Sequence, residues 1–141
     1  MEANKPIGWY LKEADQQITA FMNDAFKDLS ITRFHWMILR NISERGHINT
    51  WEFFQEVKNF VTVQEFGEII QSMVDRGWLV INSEDKCSFT AAGDEAFRQL
   101  SDLQKERAAL MMRGVSDEEY KLTLSVLNRI IENITQQQAS M

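Results

Sequence analysis

The chain has 141 residues, a hydrophobic content of 44% and a net charge of −6, which together indicate one globular domain with an ordinary core. These values exclude intrinsic disorder, and the negative charge opposes non-specific binding to nucleic acid or anionic membranes. No apolar run approaches the roughly 18 residues of a membrane span. No signal segment is visible and Cys87 is the only cysteine, so we expect a cytoplasmic protein without internal disulfides.

Two helices are predicted before the middle of the chain. Residues 9–28 carry apolar side chains at spacings of three and four, which is the stripe of an amphipathic helix. Residues 33–43 are apolar over most of a helical surface, so this second helix is expected to be buried. Thr32 precedes it as an N-cap, and Gly46 follows it as a terminator.

The next two helices form a helix-turn-helix pattern. Residues 50–58 follow Asn49, which has an N-cap role with Glu52 three positions later. Residues 63–76 follow Thr62-x-x-Glu65, a capping box in which hydroxyl and carboxylate each accept from the other residue's amide. Gly77 ends this fourth helix.

A hairpin and two long helices complete the pattern. Residues 78–81 and 87–90 are predicted strands, and the polar residues 82–86 between them are typical of a turn. A fifth helix is expected over 93–112. Ser116-x-x-Glu119 is a second capping box, which opens a sixth helix that reaches about Ile134.

The order helix, turn, helix and hairpin is that of a winged helix-turn-helix, which indicates DNA binding. The charge of this segment opposes that function. The fourth helix presents Gln64, Glu65, Glu68, Gln71 and Asp75, although Lys and Arg supply most of the energy of binding to phosphates. Between residues 46 and 91 there are three cations (Lys58, Arg76, Lys86) and seven anions (Glu52, Glu56, Glu65, Glu68, Asp75, Glu84, Asp85), a sum of −4. We therefore expect any binding to duplex DNA to be weak.

Four motifs in order resemble the MarR family of transcriptional regulators. They are Leu29-Ser30-Ile31-Thr32-x-x-x-Trp36-x-x-Leu39, residues 75–80 (DRGWLV), Phe89-Thr90-x-x-Gly93, and residues 112–119 (MRGVSDEE). The resemblance implies a mainly α fold of six helices with a short hairpin wing, in which 1–141 is a single homodimeric domain. It assigns 1–30 and 92–141 to dimerisation and 31–91 to the winged helix-turn-helix module.

The chain departs from the family pattern where the family contacts DNA. The turn between the third and fourth helices is about two residues longer. The wing is short, lacks the Asp-x-Arg signature and has Lys86 as its only cation. The fourth-helix positions that are commonly polar or basic in the family are Val63, Gln64, Glu65, Gly67 and Glu68 here. These departures do not affect the predicted fold.

The candidate site residues form three groups. The residues expected to contact DNA are Thr62, Gln64, Glu68, Gln71, Ser72, Arg76 and Lys86, with Arg33 and Lys58 as further phosphate contacts. The residues expected in the dimer interface are Ile7, Trp9, Tyr10, Leu124, Leu127 and Ile131. The family also has a cavity for small aromatic or lipophilic ligands, which here would be lined by Phe26, His35, Trp36 and Phe53.

Several of these residues have a structural interpretation as well. Glu65 is explained by its cap, and Arg76 could pair with Asp75 or Glu44 instead of a phosphate. His35 is interpreted as a hydrogen-bonded core histidine and Cys87 as a packing residue. Core packing is the first interpretation of the aromatic residues near the expected cavity, and a pocket for a flat apolar ligand is the alternative. These residues are Trp9, Phe26, His35, Trp36, Phe53 and Phe54.

The alternative function is a winged-helix dimer that no longer binds DNA and contacts a basic protein through its acidic fourth helix. No Gly-rich phosphate loop or triad is found, so no enzyme is predicted. With two histidines and one cysteine, one chain cannot assemble a zinc site of the His/Cys type. No cofactor is expected.

Overall fold

The computed structural model describes residues 5–139, and six α-helices account for most of them. In chain order the elements are α1 (Ile7–Phe26), a 3₁₀ turn (Lys27–Leu29), α2 (Arg33–Arg45), β1 (Ile48–Asn49), α3 (Thr50–Val57), α4 (Val63–Asp75), β2 (Leu79–Ile81), β3 (Lys86–Phe89), α5 (Ala91–Met111) and α6 (Asp117–Ala139). The predicted mainly α fold of six helices with a short hairpin is confirmed. The predicted helices were right to within two residues at most boundaries, and α6 extends five residues further than expected.

The capping residues predicted from the sequence start their helices. The Thr62 backbone N–H donates to Glu65 Oε1, and the Glu65 backbone N–H donates to Thr62 Oγ1, both at 3.1 Å. The hydrogen bonds from Thr62 hold the pKa of Glu65 below its usual value. Ser116 and Glu119 make the same reciprocal pair at 2.8 and 3.1 Å. Each box satisfies two amides that a helix start leaves without a partner.

The cap of α2 contains a partner that the sequence pattern did not reveal. Thr32 is the N-cap as predicted, and the third position of the box is His35 instead of an acidic residue. The Nδ1 atom of His35 accepts from the Thr32 backbone N–H at 3.1 Å and lies 2.9 Å from the Thr32 hydroxyl. A neutral imidazole therefore completes the start of α2.

The small sheet has three antiparallel strands in the order β1-β3-β2. The hairpin of β2 and β3 was predicted. Its observed register places Leu79 opposite Phe89 and Ile81 opposite Cys87. Strand β1 was missed because two residues, Ile48 and Asn49, carry no strand periodicity. Their partners, Cys87 and Lys86, lie almost forty positions away.

The core lies under the helix-turn-helix. The fully buried side chains are Phe26, Ile38, Leu39, Ile42, Met73, Cys87 and Leu100. They come from α1, α2, α4, β3 and α5, so the core joins the winged helix-turn-helix to α1 and α5.

The described residues divide into two compact units between Arg107 and Ala108. In the second unit, α6 has no buried residue over its 23 positions, although its sequence carries a continuous apolar stripe. Burial of that stripe would require a surface that the described residues of this unit do not supply.

Candidate nucleic-acid interface

The exposed face of α4 is a polar stripe of four side chains spaced by three or four residues. Gln64 donates from Nε2 to Glu68 Oε1 at 3.2 Å, and Gln71 donates from Nε2 to Asp75 Oδ1 at 2.8 Å. All four side chains are exposed. We call Gln64, Glu68, Gln71 and Asp75 the polar stripe. It presents mainly hydrogen-bond acceptors, because each amide group already has one of its protons on a carboxylate.

Arg76, predicted as a phosphate contact or a surface ion pair, binds two main-chain carbonyls. Its Nη1 donates to Leu29 O and its Nη2 to Ser30 O, both at 2.7 Å. The guanidinium also lies 4.9 Å from the ring centre of Trp78. The predicted pairing alternatives were wrong, because Glu44 pairs with Arg40 at 3.0 Å and Asp75 accepts from Gln71. Arg76 thus joins the end of α4 to the turn before α2.

The other cations differ in how far they are engaged. Arg33 Nη1 contacts Asp15 at 3.0 Å and donates to Thr19 Oγ1 at 2.8 Å, so it links α2 to α1. Lys58 makes a long contact of 3.4 Å to Gln55, and Lys86 lies exposed on β3. Among the residues predicted to contact phosphates, Lys58 and Lys86 are therefore the cations for whose side chains neither an ion pair nor a main-chain carbonyl contact is observed within the described residues.

Ser72 belongs to the inner side of α4. Its hydroxyl donates to Ile69 O at 2.8 Å and lies 3.5 Å from His35 Nε2. The structure thus places Gln64, Glu68 and Gln71 together on the polar stripe. Thr62 serves as the cap of α4, and Ser72 faces α2.

The residues predicted to line a ligand cavity are all buried. Phe26 packs against Trp36 with ring centres 6.0 Å apart, and Trp36 stacks on Phe97 at 5.0 Å with the planes 6° apart. Phe53 packs against Phe66 at 6.2 Å, and its ring is covered by Arg45. These rings contact other side chains of the same chain.

Two buried titratable groups are held neutral by their surroundings. Burial, and secondarily the charge of Arg76, lowers the pKa of His35 below its ordinary value. Burial raises the pKa of the Cys87 thiol to about 11, so this cysteine remains protonated. The packing interpretation of Cys87 agrees with its complete burial.

Two surface clefts lie on the winged helix-turn-helix. One, of about 240 Å³, is lined by residues of the β1–α3 region and by Arg45, which makes two 2.9 Å hydrogen bonds to Glu56. The other, of about 390 Å³, lies between α3, α4 and β2 and includes Gln71 of the polar stripe. The sequence did not predict the second cleft, because its walls come from three separate segments.

The predicted dimer residues lie on exposed apolar faces. In the first unit, Ile7, Trp9 and Tyr10 are exposed at the start of α1. In α6, Leu124 and Ile131 are exposed and Leu127 is half-buried.

Among the described residues, no group of three or more His, Cys, Asp or Glu side chains is arranged to hold a metal ion. None of the helices described here is both long enough and apolar enough to cross a membrane.

Comparison with known proteins identifies the fold. No family model matches the sequence, and no curated protein matches it significantly. NadR in complex with 4-hydroxyphenylacetate is similar with a TM-score of 0.77 at 16% identity, over 94% of this chain and 99% of that one. A cysteine-to-serine variant of MarR from E. coli complexed with operator DNA gives 0.73 at 17% identity, over 89% and 93%. A probable transcriptional regulator from Pseudomonas aeruginosa gives 0.71 at 17% identity, over 90% and 98%. The chain therefore has the six-helix winged helix-turn-helix fold of MarR.

Proposed function

We propose that the chain is a MarR-family transcriptional regulator that binds duplex DNA as a homodimer. The observation that carries this proposal is the winged helix-turn-helix fold, in which α4 exposes polar side chains that can contact base edges. The solved MarR variant that contains operator DNA has the same fold. Residues 31–91 then form the reading module, and 1–30 with 92–141 supply the dimerisation helices.

The chemistry of the polar stripe favours base contacts over phosphate contacts. Gln64 and Gln71 keep carbonyl oxygens that accept from amino groups of bases, and Glu68 can accept from cytosine N4. Helix N-termini, polar side chains and the lysines Lys58 and Lys86 would supply the phosphate contacts. Such an interface neutralises few phosphates, so its affinity is low and depends little on salt.

The homodimer is supported by the apolar faces of α1 and α6. Obligate interfaces are large and apolar, and the exposed Ile7, Trp9, Tyr10, Leu124 and Ile131 provide side chains of that kind. A dimer would present two copies of α4, as a palindromic site requires.

A small aromatic or lipophilic ligand is the proposed effector, which weakens DNA binding. The support is that NadR, of the same fold, holds 4-hydroxyphenylacetate. Because Trp36 already stacks on Phe97, a flat ligand has to displace that ring or enter beside it. With salicylate as probe, the melting temperature is expected to rise with ligand concentration. An unchanged melting temperature up to millimolar salicylate contradicts this part of the proposal.

A salt titration on random duplex DNA tests the DNA interface. The slope of log K against log salt is about −0.9 per phosphate neutralised. We expect a shallow slope for the wild type and a higher affinity with a steeper slope for Glu68→Arg, because the substitution replaces repulsion on the polar stripe by a phosphate contact. Asp102→Arg on α5 is the control, since it makes a charge change of the same size away from α4.

Three results would change the proposal. A wild-type slope that matches about eight or more phosphates means that another face meets DNA. Equal gains from Glu68→Arg and Asp102→Arg mean that only total charge matters. If neither wild type nor Glu68→Arg binds duplex at low salt, the alternative dimer that contacts a basic protein through its acidic face replaces the regulator.

A further inference from the structure

The larger cleft on the reading module is an apolar groove that a DNA interface does not need. Its walls are formed by Trp51 and Phe54 from α3, by Val63 and Phe66 from α4, and by Ile81 from β2. Duplex DNA presents sugar, phosphate and polar base edges, and the thymine methyl is the main apolar group it offers in the major groove. The apolar groove beside the polar stripe is therefore better matched by an occupant with large apolar groups than by duplex DNA.

Gly67 leaves the cleft open on the side of α4. It lies in the middle of the helix, where glycine is less favourable than every residue except proline. A Cβ built on Gly67 meets nothing within 4 Å, and its φ is not positive, so neither crowding nor backbone geometry requires glycine there. The missing side chain weakens the helix, and what it provides is space in the cleft.

Two of the apolar wall residues are largely exposed to solvent. Trp51 is 63% exposed and Val63 is 61% exposed. Outside the lining, Phe60 in the turn between α3 and α4 is 79% exposed. Contiguous exposed apolar residues rimmed by polar ones mark interaction surfaces. The walls are therefore suited to receive large apolar side chains.

The charged side chain in the cleft lining is negative, and the cation next to it in sequence is Lys86 on β3. Asp85 is part of the lining, and Glu68 follows Gly67 directly on α4. Arg76, which follows the last residue of α4, is bound to the carbonyls of Leu29 and Ser30. An occupant with positive charges on both sides of an apolar face would match this rim.

We propose that the cleft between α3, α4 and β2 binds a basic amphipathic helical segment of another protein. An apolar side chain of the segment enters over Gly67, among Trp51 and Val63, and its lysines or arginines face Glu68 and Asp85. This is the helix-in-groove mode of peptide recognition. The inference goes beyond the proposed function and does not depend on it, because the segment binds in the absence of DNA.

The test uses a fluorescein-labelled peptide of about 18 residues, long enough to form a helix in isolation. The peptide has leucines at spacings of three and four on one face and lysines on both flanks. A second peptide carries glutamates in place of the lysines, and a third scrambles the order so that the composition is kept and the face is lost. Binding to the full-length chain is followed by fluorescence anisotropy without DNA.

Three variants locate the binding. Gly67→Leu fills the cleft and is expected to weaken binding at least tenfold. Its Cβ meets open space and leucine favours helices, so its melting temperature is expected to rise and exclude unfolding as the cause. Glu68→Gln with Asp85→Asn is expected to weaken binding about three- to tenfold, as two surface ion pairs are lost. The control is Val80→Ala, an exposed apolar residue of β2 outside the cleft lining.

The expected result is micromolar binding of the lysine peptide, weak or no binding of the other two peptides, and loss with Gly67→Leu but not with Val80→Ala. Equal binding of the scrambled peptide, or unchanged binding by Gly67→Leu, overturns the inference. It is also overturned if Gly67→Leu abolishes binding of duplex DNA while the peptide does not bind, because the cleft then serves the nucleic acid. Failure of DNA binding alone leaves the peptide result intact, so the two proposals fail separately.

Discussion

At the scale of single residues, His35 shows how a core side chain acquires a precise role. Its Nδ1 accepts at the Thr32 cap, its Nε2 faces Ser72 of α4, and the residue is 9% exposed. Both contacts use the neutral imidazole, with the proton on Nε2. Protonation of Nδ1 would remove the acceptor for the Thr32 N–H and place a second cation near Arg76.

This arrangement predicts a loss of stability in weak acid. Because the pKa of His35 is lower in the folded chain than its ordinary value of 6.5, the unfolded chain binds the proton more readily. The stabilisation is fully present above about pH 6.5 and is lost as the pH falls through the folded pKa. His35→Gln keeps an acceptor for the cap and removes the titration. We expect the urea midpoint of the wild type to fall between about pH 7.5 and 5.5 more than that of His35→Gln. Parallel curves for the two proteins would contradict this assignment.

At the scale of elements, the junction of the wing with α5 rests on one close approach. Thr90 donates its hydroxyl to Gly77 O and accepts from the Gly93 N–H, and its own backbone N–H donates to Trp78 O. A Cβ on Gly93 would lie 1.9 Å from Trp78 O. The glycine of the Phe-Thr-x-x-Gly motif is therefore a requirement of packing, because only glycine lets the first turn of α5 approach the backbone of Trp78, between α4 and β2.

The clash predicts opposite outcomes for two glycines. Gly93→Ala forces the backbone of α5 away from Trp78 and is expected to lower stability by about 3 kcal/mol or more. Gly67→Ala puts its Cβ into open space in a helix interior and is expected to raise stability by about 1 kcal/mol. Urea unfolding of both variants beside the wild type measures the difference. A Gly93→Ala protein as stable as the wild type would show that the junction is looser than described.

At the scale of the whole molecule, the apolar surface of the chain is the main feature left without a partner. Helix α6 has no buried residue, and its exposed apolar side chains repeat at spacings of three, four and seven. The net charge of −6 opposes non-specific association through such a surface. The surface accounts for the dimer that we propose.

Light scattering at micromolar concentration is expected to give twice 16.5 kDa for the wild type. Ile131→Glu places an unpaired carboxylate in the interface and is expected to weaken the dimer by about 3 kcal/mol or more. That is over a hundredfold in the dissociation constant. Ser125→Glu adds the same charge on the opposite side of α6 and is the control. A wild-type monomer, or equal effects of the two variants, would remove the dimer and the palindromic site with it.

The sequence by itself determined the features that depend on near neighbours. Thr62 with Glu65 and Ser116 with Glu119 start their helices as predicted, because a capping box joins residues three positions apart. The period of the apolar residues placed the helices for the same reason. Only the tertiary structure decided which charges remain free and where a cleft opens. Arg76 binds main-chain carbonyls 46 and 47 positions away. Because every residue has a carbonyl, the residue types in the sequence cannot predict which carbonyls Arg76 contacts. The groove over Gly67 is empty space between three segments, which no local pattern records.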